Sequence, residues 1–239
     1  MISIVQNFIC TKEERLKVLE TNIPKIGELF KDAQFYVNYN TEINFTQVYD
    51  LYSKHITNLN FYNDLSDEWA PTTLSLVNKV DTKYTIFICE DAQIHSSYEK
   101  IHNCINEFIE LDYDYFLLTK LDKYLKDEYI NGYTPWNSNQ SPGYKKLKYG
   151  YSYMGMYAPH KRVSTDAIYK TEWFKDRLSE FIINGDSCIH DIPIRDKRKP
   201  NFYEGYYDFN NGMQRFGDMM CYIPDEVIMT EFEGVKQNR

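Results

Sequence analysis

The feature that most constrains the fold of this chain is a short apolar segment followed by two acidic residues. Residues 83–89 read KYTIFIC, and Glu90 and Asp91 follow at once. An apolar run of this length, without a helical period, is typical of a strand buried on both faces, which places it in the middle of a sheet. Ligands of open α/β sheets bind at the carboxyl ends of such strands, where Glu90 and Asp91 would lie. The segment therefore predicts an α/β fold with a polar site at that edge.

The first half of the chain alternates between strand and helix patterns. Strands are predicted over residues 2–9, 34–40, 59–62, 83–89 and 113–119, and helices over 12–30, 45–56, 71–80 and 96–111. Such alternation predicts a mainly parallel central sheet that is flanked by helices on both faces. Thr11 is predicted to cap the first helix, and Pro24 to kink or split it.

The second half has a different character. A loop rich in Gly, Pro, Asn and Ser is predicted over residues 129–148, strands over 149–158 and 227–232, and a helix over 172–183. No internal repeat or low-complexity linker divides the 239 residues, so we expect a single domain.

Composition and charge argue against several classes of protein. The formal net charge is −8 and no long basic block occurs, so no nucleic-acid partner is expected. No apolar run approaches the roughly 18 residues that a membrane span needs, and the apolar N-terminus lacks a basic flank, which favours a first strand over a signal peptide. Five cysteines without a CxxC pair favour the reduced cytoplasm, with Cys89 and Cys104 as buried apolar side chains.

The acidic pair itself points to a cation. Two adjacent carboxylates at a strand end repel each other unless a cation or hydrogen-bond donors compensate their charge. Oxygen ligands from Glu90 and Asp91, with the Gln93 amide, suit Mg²⁺ or Mn²⁺ bridging a nucleotide diphosphate. The structural alternative is that Asp91 caps the helix that begins near Ser96.

Two motifs, in their order and spacing, resemble those of GT-A glycosyltransferases, the family-two-like enzymes in particular. Those enzymes begin with a strand, a Thr-Tyr-Asn-Arg-like turn and a helix that opens with Glu-Arg-Leu; here residues 4–26 read IVQNFICTKEERLKVLETNIPKI. Two strands later they carry an Asp-X-Asp-type motif, and here residues 87–94 read FICEDAQI. The resemblance covers roughly the first 120 residues well and the remainder loosely.

The resemblance implies both a fold and an activity. It implies one GT-A-like domain over residues 1–239, with a nucleotide-sugar-binding half (1–120) and a loop-rich acceptor-binding half (121–239). The implied activity is transfer of a sugar from a nucleotide-diphosphate sugar, with a UDP-sugar favoured, to a hydroxyl of a glycan or other acceptor. The implied enzyme is inverting and assisted by Mn²⁺ or Mg²⁺.

The resemblance also assigns site residues. The implied metal ligands are Glu90, Asp91 and Gln93. The residues implied to bind the nucleotide sugar lie at the ends of the first strands and ahead of the metal motif: Phe8, Cys10, Thr11, Arg15, Asn38, Asn40, Trp69, Thr72 and Glu90. The sequence departs from the family at the two asparagines, where such enzymes often place an acid, and in reading Glu-Asp-Ala-Gln instead of Asp-X-Asp. Trp69 and Thr72 have a structural alternative as a core tryptophan and a helix-start threonine.

The second half carries the expected catalytic acids. An inverting enzyme needs a base for the acceptor hydroxyl, and the resemblance places it in the segment 185–193, with Asp191 first and Asp186 second. Asp186 follows a glycine and is also a plausible helix cap. Trp136, in the loop 133–144, is expected to cover the sugar as part of a lid. Glu231 and Glu233 stand where some relatives place a metal-binding histidine.

Three other functions fit parts of the sequence. A pyrophosphorylase-like transferase is disfavoured because the first strand ends in NFICTKEER rather than in a glycine-rich loop. A metal-dependent nuclease is disfavoured by the net charge of −8. A non-catalytic carbohydrate- or nucleotide-sugar-binding protein on the same fold agrees with the altered metal motif and remains the main alternative.

Overall fold

The computed structural model describes residues 2–66, 69–118, 145–154, 167–183, 220–225 and 228–230. The predictions that fall on other residues lie outside this part of the chain: the base candidates Asp186 and Asp191, the 133–144 loop with Trp136, and Glu231 and Glu233.

The helices and strands follow the predicted alternation. The strands are β1 (Ile2–Phe8), β2 (Gln34–Tyr39), β3 (Leu59–Tyr62), β4 (Tyr84–Phe87), β5 (Gln93–Ile94), β6 (Tyr115–Leu117), β7 (Lys145–Lys146), β8 (Gly150–Met154), β9 (Ala167–Lys170), β10 (Met220–Pro224) and β11 (Met229–Thr230). The helices are α1 (Glu13–Leu29), α2 (Phe45–His55), α3 (Trp69–Val77), α4 (Tyr98–Glu110) and α5 (Thr171–Ile183). All nine elements predicted in the first half are confirmed, within a few residues at their ends.

Two local predictions about the helices are wrong, and one structural alternative is excluded. Lys12, and not Thr11, is the N-cap of α1, and its side chain makes no capping bond. Pro24 lies inside α1 without splitting it, and a kink there stays a prediction. Asp91 does not cap α4, because Ser97 is the N-cap and its hydroxyl accepts a hydrogen bond from the Lys100 amide. Asp91 is thereby available for another role.

Nine strands of the described chain form one mixed sheet, in the order β3-β2-β1-β4-β9-β6-β10-β8-β7. The first four are parallel neighbours, β9 runs antiparallel between β4 and β6, and β10 is parallel to β6. The predicted central place of β4 is confirmed, since β1 and β9 flank it. A separate antiparallel pair joins β5 to β11, with Thr230 opposite Gln93.

Helices cover both faces of the sheet, and successive side chains of β1 point to opposite faces and pack against different helices. Ile4 and Phe8 belong to an apolar cluster with residues of α1, α2 and α4. Val5 points the other way and belongs to a second cluster with residues of α3 and α5. Both clusters consist of buried side chains, so β1 is covered on its two faces, as its apolar sequence predicts.

Asp112 ties the turn after α4 to the sheet. Its backbone φ is 53°, in the left-handed region that Asp tolerates better than most residues. Its carboxylate lies 2.8 Å from Lys83 Nζ and 3.2 Å from Lys170 Nζ, and accepts a 2.8 Å hydrogen bond from the Tyr84 hydroxyl. These bonds, that from Lys83 first, hold the pKa of Asp112 well below its usual range.

We expect Asp112→Asn to lower stability in a pH-dependent way. The folded-state pKa is depressed, so the stabilisation is complete above the unfolded-state pKa of about 4 and declines as the pH falls below it. Because the side chain is 56% exposed, we expect a loss of only about 1 kcal/mol at pH 7. Urea unfolding at pH 7 and pH 3 measures it, with the exposed Asp32→Asn as the control. A difference from wild type that is as large at pH 3 as at pH 7 would contradict the role of the charge.

Candidate functional site

The parallel strands bring their carboxyl ends to one edge. Phe8 at the end of β1 lies opposite Tyr39 at the end of β2, and Val5 lies opposite Phe87 at the end of β4. The chain beyond these ends therefore gathers there, and the acidic pair that follows β4 belongs to this edge.

Arg15 holds the two acids together. It lies in the first turn of α1, and its Nη2 atom donates hydrogen bonds to Glu90 Oε1 and to Asp91 Oδ2, the latter at 2.8 Å. The side chains of Arg15, Glu90 and Asp91 are 16%, 6% and 15% exposed. Burial alone would lower the pKa of the guanidinium, but the charges of Glu90 and Asp91 outweigh it and raise that pKa above its ordinary value. The guanidinium is therefore charged in the folded protein.

The acidic pair has a third neighbour in Cys89. One ligand atom each from Cys89, Glu90 and Asp91 lie within 4.8 Å of one another. The prediction of Cys89 as a buried core residue is wrong, since it is partly exposed, whereas Cys104 is buried as predicted. Carboxylate oxygens suit Mg²⁺ or Mn²⁺ and a sulfur adds affinity for softer ions, so this donor set fits a divalent cation.

Buried hydroxyl and thiol groups lie close to Glu90. The Tyr39 hydroxyl donates to the carbonyl oxygens of Cys10 and Ile43, at 2.8 and 2.6 Å, and the Tyr52 hydroxyl donates to Gln6 Oε1 at 2.9 Å. Burial and the charge of Glu90 raise the pKa of Cys10 to about 11 and that of Tyr52 well above its ordinary value. Both groups stay protonated at neutral pH, so the anionic charge remains on the carboxylates.

A second group of polar side chains joins β1, β2 and α3. Asn7 Nδ2 donates to the Trp69 carbonyl at 3.2 Å and to Thr73 Oγ1 at 2.9 Å, while the Trp69 indole donates to the Asn7 carbonyl at 3.2 Å. Asn38 Nδ2 donates to Asn7 Oδ1 at 3.0 Å. Asn38 also pairs with the backbone of Asp64, accepting from its amide at 2.7 Å and donating to its carbonyl at 3.1 Å.

The predicted binding residues fall into two groups according to the burial of their side chains. Those with buried side chains pack into or beneath the edge: Phe8, Cys10, Asn38, Trp69, Thr72 and Glu90. The rest are partly or fully exposed: Thr11, Arg15, Asn40, Asp91 and Gln93. The Asn40 amide donates to the Ser66 carbonyl at 2.6 Å. Gln93 lies in β5, two residues past the acidic pair, and its role as a ligand stays a prediction.

Asn7, Tyr39 and Asp64 belong to this edge, and the sequence reasoning missed them. The signal for Asn7 was present, because an amide inside an otherwise apolar strand must find buried hydrogen-bond partners. The positions of Tyr39 and Asp64 depend on contacts between distant segments, which no local pattern reveals.

Three solved structures of S. aureus TarS resemble this chain in fold. The structure of S. aureus TarS 1-349 superposes with a TM-score of 0.52 at 10% identity, covering 96% of this chain and 60% of TarS 1-349. Its complex with UDP-GlcNAc gives a TM-score of 0.51 at 11% identity, over 98% and 59% of the two chains, and its complex with UDP gives 0.50 at 10%, over 96% and 59%. This chain has a GT-A-like fold.

A similarity at 10% sequence identity establishes the fold alone. The chain spans about 60% of the length of the structures that it matches. No protein-family model and no curated protein matches the sequence. Among the residues described, no helix is long and apolar enough to cross a membrane.

Proposed function

We propose that this chain binds a nucleotide-diphosphate sugar at the carboxyl edge of β1, β2 and β4 and transfers the sugar to an acceptor hydroxyl. The observation that carries the proposal is the meeting of Glu90, Asp91 and Arg15 at that edge, after the central strand. A GT-A-like fold supports it, because TarS structures of this fold were solved with UDP and with UDP-GlcNAc. A UDP-sugar is the proposed donor.

The charges at the edge explain why a divalent cation belongs to the proposal. Among the described residues, two carboxylates meet one guanidinium, so negative charge is in excess in a site with little solvent contact. A diphosphate brought beside that charge is repelled, and repulsion is strong where water is largely excluded. Glu90 and Asp91 would hold Mn²⁺ or Mg²⁺, which would neutralise their negative charge and offset the charge that grows on the leaving diphosphate.

The second half is proposed to supply the acceptor chemistry. Asp191 is the proposed general base and Asp186 the second candidate, because inverting transfer needs a carboxylate that takes the proton of the attacking hydroxyl. In this proposal the chain is an inverting, metal-assisted glycosyltransferase, and the cytoplasm is its proposed location.

Calorimetry separates binding from turnover. We expect UDP and UDP-GlcNAc to bind wild-type protein in the presence of Mn²⁺ and to bind far more weakly without it, with GDP as the comparison for the base. Release of UDP from UDP-GlcNAc measures turnover, and Asp191→Ala should keep binding while losing turnover. Absence of binding to any nucleotide sugar, with or without Mn²⁺, would refute the proposal. Binding without hydrolysis or transfer would instead support the non-catalytic binding protein.

A further inference from the structure

Arg15 occupies the place that the proposed cation needs. We propose that its guanidinium is the resident counter-ion of Glu90 and Asp91, that a divalent cation binds these carboxylates only by displacing it, and that the displaced guanidinium then pairs with phosphate of the donor. The last step rests on the proposed function, whereas the exchange of cations does not.

The geometry makes the two cations competitors. A single nitrogen, Nη2, donates to one oxygen of Glu90 and one oxygen of Asp91, so it lies between the carboxylates. A divalent cation bound between these two oxygen atoms would use the space that Nη2 occupies. Simultaneous binding would also place two positive groups in contact, which is unfavourable at a site of this burial.

The hydrogen bonding of the Arg15 guanidinium is incomplete, and this favours its replacement by a divalent cation. Within the described residues, the buried Nε atom of Arg15 has no hydrogen-bond partner. A buried donor without a partner lowers stability. Moving the guanidinium toward phosphate oxygens would give the Nε and Nη groups acceptors in the forked arrangement that arginine binds best.

The position of Arg15 allows this movement. Its side chain and that of Asp91 keep 16% and 15% of their surface exposed, so the contact opens to solvent on one side while Glu90, at 6%, lies deeper. Arg15 is also in the first turn of the 17-residue helix α1, where the helix dipole favours an anion. Phosphate beside this turn would meet both the helix terminus and the released guanidinium.

Metal affinity tests the exchange directly. We expect Arg15→Met to bind Mn²⁺ about tenfold or more tightly than wild type, because the ion no longer has to break charge-assisted hydrogen bonds. Lys17→Met is the matched control: it removes the same charge from the same helix, but its side chain is 69% exposed and pairs with Glu13. Titration calorimetry and the electron paramagnetic resonance of free Mn²⁺ give the dissociation constants.

Thermal unfolding gives a second readout. Without metal, Arg15→Met removes two charge-assisted hydrogen bonds from a largely buried site and should melt below wild type; Mn²⁺ should raise its melting temperature more than that of wild type. Arg15→Lys keeps the positive charge but lacks the planar guanidinium group, so it should give an intermediate Mn²⁺ affinity. This variant replaces Arg15→Met in the measurement if Arg15→Met does not fold without metal.

The outcomes are distinguishable. Equal Mn²⁺ affinity in wild type, Arg15→Met and Lys17→Met would overturn the proposal, and so would the absence of Mn²⁺ binding to all three. Tighter Mn²⁺ binding by Arg15→Met together with weaker Mn²⁺-dependent UDP binding would support it in full. Tighter Mn²⁺ binding with no UDP binding by any variant would support the exchange of cations and refute the proposed function and the phosphate step.

Discussion

Asp91→Asn is expected to weaken Mn²⁺-dependent UDP binding by about a hundredfold or more, because it removes one of two carboxylate ligands from the proposed cation. The asparagine oxygen can still accept the hydrogen bond that Arg15 donates at 2.8 Å. The substitution therefore removes charge while largely keeping shape, and the fold should survive. Binding is measured by calorimetry, with UDP titrated in the presence and in the absence of Mn²⁺.

Asp225→Asn is the matched control for this experiment. Asp225 also pairs with a cation at 2.8 Å, the Lys100 ammonium, and its side chain is 27% exposed, but it follows β10, which is three strands away from β4 in the sheet. We expect its Mn²⁺-dependent UDP binding to match that of wild type. An equal loss in both variants would point to general electrostatics, and an unchanged affinity in Asp91→Asn would remove Asp91 from the site.

The largest expected effect on stability comes from Asn7. Asn7→Leu should lower the free energy of unfolding by about 3 kcal/mol, because several buried polar groups each lose one hydrogen bond together. Thr73 and the Trp69 carbonyl lose a donor, and the Asn38 amide loses an acceptor. Leucine has the same branching and the same number of side-chain heavy atoms as asparagine, and its larger volume applies equally to the comparison variant below. Urea unfolding at neutral pH measures it.

A second buried asparagine provides the comparison. Asn22 in α1 is 6% exposed, and among the residues described its Nδ2 atom has no hydrogen-bond partner. Asn22→Leu should therefore leave stability unchanged or raise it, since no hydrogen bond is lost and an unpaired buried amide is removed. Similar losses in the two variants would show that the partners of Asn7 do not carry its contribution.

The sequence predicted the first half of the sheet and the place of the acidic pair. Short apolar segments such as those of β1 and β4 have no competing helical period, and their burial on both faces follows from that pattern. Acids directly after a central parallel strand then lie at the ligand edge by the geometry of the sheet. These inferences are confirmed because each depends on a short stretch of chain.

Contacts between distant segments could not be predicted. The bond from Arg15 to Glu90 joins α1 to the loop after β4, and nothing near either residue specifies the other. The strand β9 has only four residues and joins β4 and β6 as an antiparallel insertion, so its pattern gives a weak signal. The roles of Asp191 and Gln93 stay predictions.

The pairing of β11 with β5 affects the order in which the chain can fold. The strands β1 to β4 contact one another within the first 87 residues of the sequence, so the loops they close are shorter than the one between β5 and β11. The partner of Ile94 is Met229, and more than half of the 239 residues lie between them. Contacts of such high sequence separation form slowly. The segment that follows Glu90 and Asp91 therefore gains its strand partner only after most of the chain has been synthesised, so the acidic edge is completed later than the sheet that supports it.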